Sequence, residues 1–157
     1  MSTAQPAGRS PREVLERYHR AMLALSADDL ADLYDVDAVH ELPFRFPGMP
    51  ERHLGREAVR AGYRAAWERS PARPAALRDV TVHDTADPEV VIAEQTVVGA
   101  VTGSGAPFAF PSVLVIRVRD GLITHVRDYM DGLGVARSLG RLPALAAPLQ
   151  DAPAASR

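Results

Sequence analysis

The stretch RDGLITHVRDYMDGLG, Arg119 to Gly134, decides the reading of this chain. Arg-Asp-Gly is a turn signal, and the residues from Leu122 to Met130 then alternate as a β-strand. Leu122, Thr124, Val126, Asp128 and Met130 share one face, and Ile123, His125, Arg127 and Tyr129 share the other, more polar one. The first face belongs to the core, and Asp128 goes inward with it. An ionised carboxylate set against Val126 and Met130 loses hydration worth roughly several kcal/mol unless it is paired, so its pKa is expected to rise toward neutrality. That makes Asp128 a usable general acid or base. The competing reading is a structural ion pair with an arginine such as Arg45.

The strand before this one, Phe108 to Arg119, presents Phe108, Phe110, Ser112, Leu114, Ile116 and Val118 on one face, while the odd positions end in Arg117 and Arg119. The even face is the inner, mostly apolar wall. Two further strands precede it, Ala75 to His83 and Val90 to Val101, with turn signals ADPE, TGSG and RDG between strands. The last three strands form a meander. Glu94 interrupts an apolar strand whose two faces are too alike to assign its direction.

The first half reads as helical with one strand. In SPREVLERYHRAML a capping serine and a proline at the first helical position precede Val14, Leu15, Tyr18, Met22 and Leu25 on one face. A second, short helix starts at Ser26, carries Leu30, Leu33 and Tyr34 inward and ends near Asp35. Val36 to Leu42 alternates as a strand with Val36, Ala38, His40 and Leu42 on one side, so His40 points inward and Glu41 outward. Phe44 to Leu54 reads as a proline-broken loop, after which Gly55 opens a third helix with Val59, Gly62, Tyr63, Ala66 and Trp67 on one stripe. Residues 1–9 and 143–157 are rich in Ala, Pro and Ser and read as disordered tails around one domain, residues 10–142. Helices followed by consecutive strands make this an α+β fold, a curved antiparallel sheet with three helices packed on one face.

Composition narrows the chemistry. A chain of 157 residues with 46% hydrophobic content fills one core without staples. With no cysteine there is no thiolate nucleophile, disulfide or cysteine-bound metal, and with no lysine there is no Schiff base or P-loop. The five histidines show no metal-ligand spacing, and Gly99, Gly103 and Gly105 follow a strand without opening a helix, so no metal and no nucleotide cofactor is expected. A net charge of -2 offers no basic field for nucleic acid. No apolar run is long enough to span a bilayer and the start lacks the features of a signal peptide, so a cytoplasmic protein is expected.

Three pieces, RYHRAMLALSADDLADLYDVDAVHELPF, GREAVRAGY and RDGLITHVRDYMDGLGVARSLG, together resemble the nuclear transport factor 2-like superfamily, in its SnoaL-like polyketide cyclase and isomerase branch. The resemblance covers roughly Pro11 to Gly140 and implies a cone-shaped sheet with the three helices over its concave face. Related proteins carry an arginine, an acid, an aromatic and then Asp or Asn where this chain has Arg127, Asp128, Tyr129 and Asp131. Phenazine-biosynthesis A/B proteins place an acid catalyst at the position of Asp128, but their pocket histidine falls at Gly62. Ketosteroid isomerase shares Tyr18, while its base corresponds to Leu42 and its oxyanion-binding carboxyl to about Leu114, so its mechanism does not carry over.

The expected enzyme therefore performs cofactor-free proton transfer on an apolar, oxygenated, polyketide-like molecule, causing cyclisation, isomerisation or dehydration. Asp128 is its acid–base group, with Tyr18 or His40 stabilising charge on oxygen. Tyr63 and Trp67 would form an aromatic wall, and Phe110, Ser112, Leu114, Val126 and Met130 the inner lining. Two alternatives stand beside this. An epoxide hydrolase or epoxide-opening cyclase needs a second inward acid, Glu94 or Glu41, and a non-catalytic binding protein needs only the pocket. A homodimer is expected through an outer apolar strip of Val113, Val115, Ile123 and Tyr129.

Overall fold

The computed structural model describes residues 8–150. Helices α1 (Pro11–Ala24) and α2 (Ala27–Ala31) lead into strand β1 (Tyr34–Glu41), a short strand β2 (Arg52–Leu54) and helix α3 (Arg56–Arg69). Strands β3 (Ala72–Asp84), β4 (Val90–Val101), β5 (Pro107–Arg119) and β6 (Leu122–Met130) follow, then α4 (Gly132–Ser138) and α5 (Leu142–Gln150). The six strands form one curved, unclosed sheet in the order β2-β1-β6-β5-β4-β3. Among the described residues no helix is long and apolar enough to cross a membrane.

Local chemistry accounts for the helix ends. Ser10 accepts from Glu13 N while the Glu13 carboxylate accepts from Ser10 N, a complete capping box ahead of Pro11. Leu25 closes α1 in the left-handed region, at φ 51. Val14, Leu15, Tyr18 and Ala21 form its buried face and pack with Leu114, Ile116 and Val118 of β5 in the main core. Each large aliphatic group covered this way contributes about 1.5–3 kcal/mol.

The sheet departs from the expected all-antiparallel arrangement at one seam, because β1 pairs with β6 in parallel. The chain returns to β1 only after α3 and the whole β3–β6 meander, a connection long enough for a parallel crossover. Arg52–Leu54, read from sequence as loop, is a strand three residues long and too short to show a period. Its Arg52, His53 and Leu54 pair with Glu41, His40 and Val39. β3 begins at Ala72, ahead of Pro74, which an edge strand tolerates.

Two register shifts redirect side chains. Pairing of β1 with β6 slips between Tyr34 and Val39, and Val36 is 62% exposed where strict alternation put it inside. Tyr34 belongs to β1 instead of ending the second helix, because its partner Ile123 and the bond from Ile123 N to Leu33 O draw it into the sheet. In β6, Arg117 opposes His125 and Val118 opposes Ile123, leaving Thr124 as the extra residue of a bulge. Ile123 is therefore fully buried in the core and leaves the outer strip proposed for a dimer.

Beyond the sheet, Asp131 caps α4 by accepting from Gly134 N. Helix α5 occupies residues read as tail from Pro143 onward; the segment PALAAPLQ is rich in the helix formers Ala and Leu. At the other end Gly8 lies against the backbone of Asp120 and Gly121. The remainder of the two expected tails, residues 1–7 and 151–157, lies outside the described residues.

Candidate active site

Four elements bring the polar groups of the core together. β6 carries Asp128, β1 carries Tyr34 and His40, and α3 lays Tyr63 over them, with Tyr18 of α1 alongside. His40 opposes Val126 across the parallel seam, and Asp128 opposes Leu114 across β5–β6, so both face the helices. Asp128 is 8% exposed, His40 is wholly buried, and Tyr18 is 1% exposed. Asp128, His40 and Tyr18, the three expected catalytic groups, are thus brought together.

His40 is held between two tyrosines. The Tyr34 hydroxyl lies 2.8 Å from His40 Nδ1 and the Tyr63 hydroxyl 3.0 Å from His40 Nε2. Asp128 Oδ2 is 3.9 Å from Nε2, beyond direct hydrogen-bond reach, and the Tyr63 hydroxyl that bonds Nε2 is near enough to act on the carboxyl. Burial pushes the Asp128 carboxyl up from 3.8 to about 7, and the Tyr63 hydrogen bond partly opposes it by favouring the ionised form. Burial drives His40 down from 6.5 to about 3, so the imidazole is neutral at ordinary pH. Tyr18, Tyr34 and Tyr63 are pushed well above the ordinary phenol value, first by burial, and remain protonated donors. The Tyr18 hydroxyl has no hydrogen-bond partner among the described protein groups.

A neutral imidazole donates from one nitrogen and accepts at the other, and each phenol has one proton. When Tyr34 donates to Nδ1, Nε2–H donates to the Tyr63 oxygen, which leaves the Tyr63 proton free to turn toward an ionised Asp128. With Asp128 protonated, the chain can run the other way. The carboxyl group therefore sits beside a buried tyrosine–histidine–tyrosine chain.

Among the described residues no arginine neutralises Asp128. Arg45, the partner weighed from sequence, pairs with Glu51 at 3.1 Å on the surface, where Pro43 and the following loop carry it away from the inner face. Glu94 is exposed and bonded to His83 at 3.0 Å, and Glu41 pairs with His125 at 3.1 Å on the face opposite His40. Neither places a second acid beside Asp128.

The expected lining divides. Tyr63 and Trp67 pack together with ring centroids 5.1 Å apart, against the core, and Phe110 stacks on Phe108 at 4.5 Å. Leu114 and Val126 are fully covered core residues. Ser112 and Met130 line a groove of about 830 Å³ that runs onto the outer face past Pro111, Val113 and Tyr129 and under Phe44. Neither Asp128, His40 nor Tyr18 lines that groove. Sequence reading missed Tyr34, assigned to a helix, and His53, assigned to a loop; the pairing of β1 with β2 and β6 identifies both.

The SnoaL-like domain family matches residues 15–126, which take in most of the described sheet, most of α1, and all of α2 and α3. The chain belongs to the SnoaL-like family. An uncharacterized PhzA/B-like protein of Pseudomonas aeruginosa is 33% identical over 141 residues, spanning 90% of this chain and 98% of that one. The crystal structure of a proposed isomerase from Bacillus subtilis aligns at 30% identity with a TM-score of 0.75, covering 83% of this chain and 92% of that chain. A proposed polyketide cyclase from Xanthomonas campestris aligns at 25% identity with a TM-score of 0.65, covering 82% and 95%. The α+β fold of the SnoaL-like and ketosteroid isomerase-like proteins is thus the fold of this chain. The family match ends at Val126, two residues before Asp128, so the role of Asp128 rests on its own geometry.

Proposed function

We propose that this SnoaL-like protein is a cofactor-independent acid–base enzyme of secondary metabolism, a cyclase, isomerase or dehydratase acting on an apolar, oxygenated, polyketide-type molecule in the cytoplasm. The observation that carries this reading is a carboxyl buried on the inner face beside the His40–Tyr63 pair, with no arginine among the described residues to neutralise it, which burial raises to about 7. A group with that pKa serves as acid or base with nearly equal ease, and positioned proton transfer of this kind contributes about 10²–10⁴-fold.

In such a reaction ionised Asp128 takes a proton from a carbon beside a carbonyl, or protonated Asp128 delivers one to an oxygen. Tyr63 answers each change by redirecting its single proton between Asp128 and His40. His40, neutral throughout, acts through Tyr63 and not as a cation. The unpartnered Tyr18 hydroxyl supplies a donor for developing charge on substrate oxygen. The test is Asp128→Asn assayed on polyketide-type substrates: a loss of at least about 100-fold in kcat with the fold intact is expected. Unchanged turnover overturns the assignment.

The epoxide-opening alternative lacks support, since Glu94 and Glu41 are paired to histidines away from Asp128. A binding protein without turnover has one observation in its favour: Tyr18, Leu114 and Val126 are fully covered. Ligand affinity that ignores Asp128→Asn, with no product formed, would establish it. We also propose a homodimer through the outer face, where Phe44 is 57% exposed and lies edge-on to Tyr129 at 5.5 Å beside the large groove.

A further inference from the structure

We propose that His53 is a positioning residue of this site, holding Tyr63 where its hydroxyl meets His40 beside Asp128; the inference builds on the acid–base reading of Asp128. His53 and His40 are direct cross-strand partners on β2 and β1, so their side chains share the inner face. Their ring centroids are 6.1 Å apart. Helix α3 passes over the His53 ring at Gly62, where a Cβ would overlap the imidazole carbon and both ring nitrogens. The bare backbone at Gly62 is therefore what admits the ring between helix and strand edge.

Tyr63 follows Gly62 directly. Its ring lies 6.2 Å from that of His53 and 5.1 Å from that of Trp67, so it is flanked by two rings, one from β2 and one from its own helix. β2 is the sheet edge and is only three residues long, and the His53 ring is the wedge that sets how closely α3 approaches it. The Tyr63 hydroxyl reaches His40 at 3.0 Å from this position. Among the groups facing His53, His40 is buried and neutral and Tyr63 is a protonated phenol, while the flanking Arg52 opposes Glu41 on the other face. Burial lowers the His53 pKa as well, so near neutral pH the ring acts by its bulk.

The direction of the effect follows from Tyr63. Its hydrogen bond holds the Asp128 carboxyl down against burial, so a displaced Tyr63 lets that value climb. The experiment is carboxyl-carbon NMR titration of Asp128 in the free protein, with His40 ring signals recorded alongside, for His53→Ala, His53→Phe and Gly62→Ala. His53→Ala should raise the Asp128 midpoint by roughly half to one pH unit and shift the His40 signals. Gly62→Ala should move both the same way, because the added methyl evicts the ring. His53→Phe should restore the wild-type midpoint, a ring of similar bulk having been kept. An unchanged midpoint in His53→Ala, or in Gly62→Ala should the first fail to fold, overturns the proposal, as does a His53→Phe protein that behaves like His53→Ala. No substrate is involved, so a failure here is distinct from full turnover by Asp128→Asn, which sinks the acid–base reading alone.

Discussion

The Tyr63 hydroxyl stands 3.0 Å from His40 Nε2, and Asp128 Oδ2 lies 3.9 Å from the same nitrogen, so a single phenolic proton can turn toward either a buried imidazole or a buried carboxyl. Because that proton points one way at a time, the state of Asp128 is expected to select the tautomer of His40. Above the Asp128 midpoint the proton should sit on Nε2, and below it the Nδ1–H form should gain population, with the ring neutral throughout. Nitrogen-15 NMR of the imidazole across pH 5–9 checks this, and a His40 that becomes doubly protonated in this range would refute it.

The two buried groups pull stability in opposite directions. Asp128 holds its proton up to about pH 7 in the folded protein but releases it near 3.8 when unfolded, so its contribution is full below 3.8 and lost as pH rises to about 7. His40 is neutral down to about pH 3 when folded but takes a proton near 6.5 when unfolded, so its contribution is full above 6.5 and lost as pH falls. Asp128→Asn removes only the first term. Its stability relative to wild type should climb between about pH 4 and 7, by at most roughly 4 kcal/mol. Urea denaturation at four pH values measures the difference.

Much of this was legible in the sequence because strand alternation survives in β5 and in the second half of β6. The buried positions Leu114, Ile116 and Val118 and the inward Asp128 follow from counting by two. Counting fails beside the bulges, as at Val36 and Ile123, while Ala38, His40, Val126 and Asp128 beyond them keep the expected face. Tyr34 and His53 were hidden for a related reason. Their roles come from pairing between strands distant in sequence, and β2 is too short to show a period.

The bulge has a measurable consequence. Ile123 is wholly buried and Val36 is 62% exposed, the reverse of what alternation alone assigns. Ile123→Ala should cost about 2–5 kcal/mol and Val36→Ala within roughly 0.5 kcal/mol of nothing, read by chemical denaturation. Equal effects would argue against the register shift.

The outer face makes a separate prediction. Val113 and Tyr129 line the groove beside exposed Phe44, so the protein should sediment as a dimer and Val113→Asp should yield a folded monomer. A wild-type protein that stays monomeric at high concentration would remove this interface.

Asp128 is a buried acid with no cation among the described residues to hold it ionised, poised near neutrality. The most direct test of this is the titration of the Asp128 carboxyl carbon by NMR in the free protein, assigned with Asp128→Asn. A midpoint close to 7 is expected, since burial raises the group and no arginine among the described residues opposes it. A midpoint at or below the ordinary 3.8 would mean a solvated or ion-paired carboxylate, and would contradict the acid–base site described here.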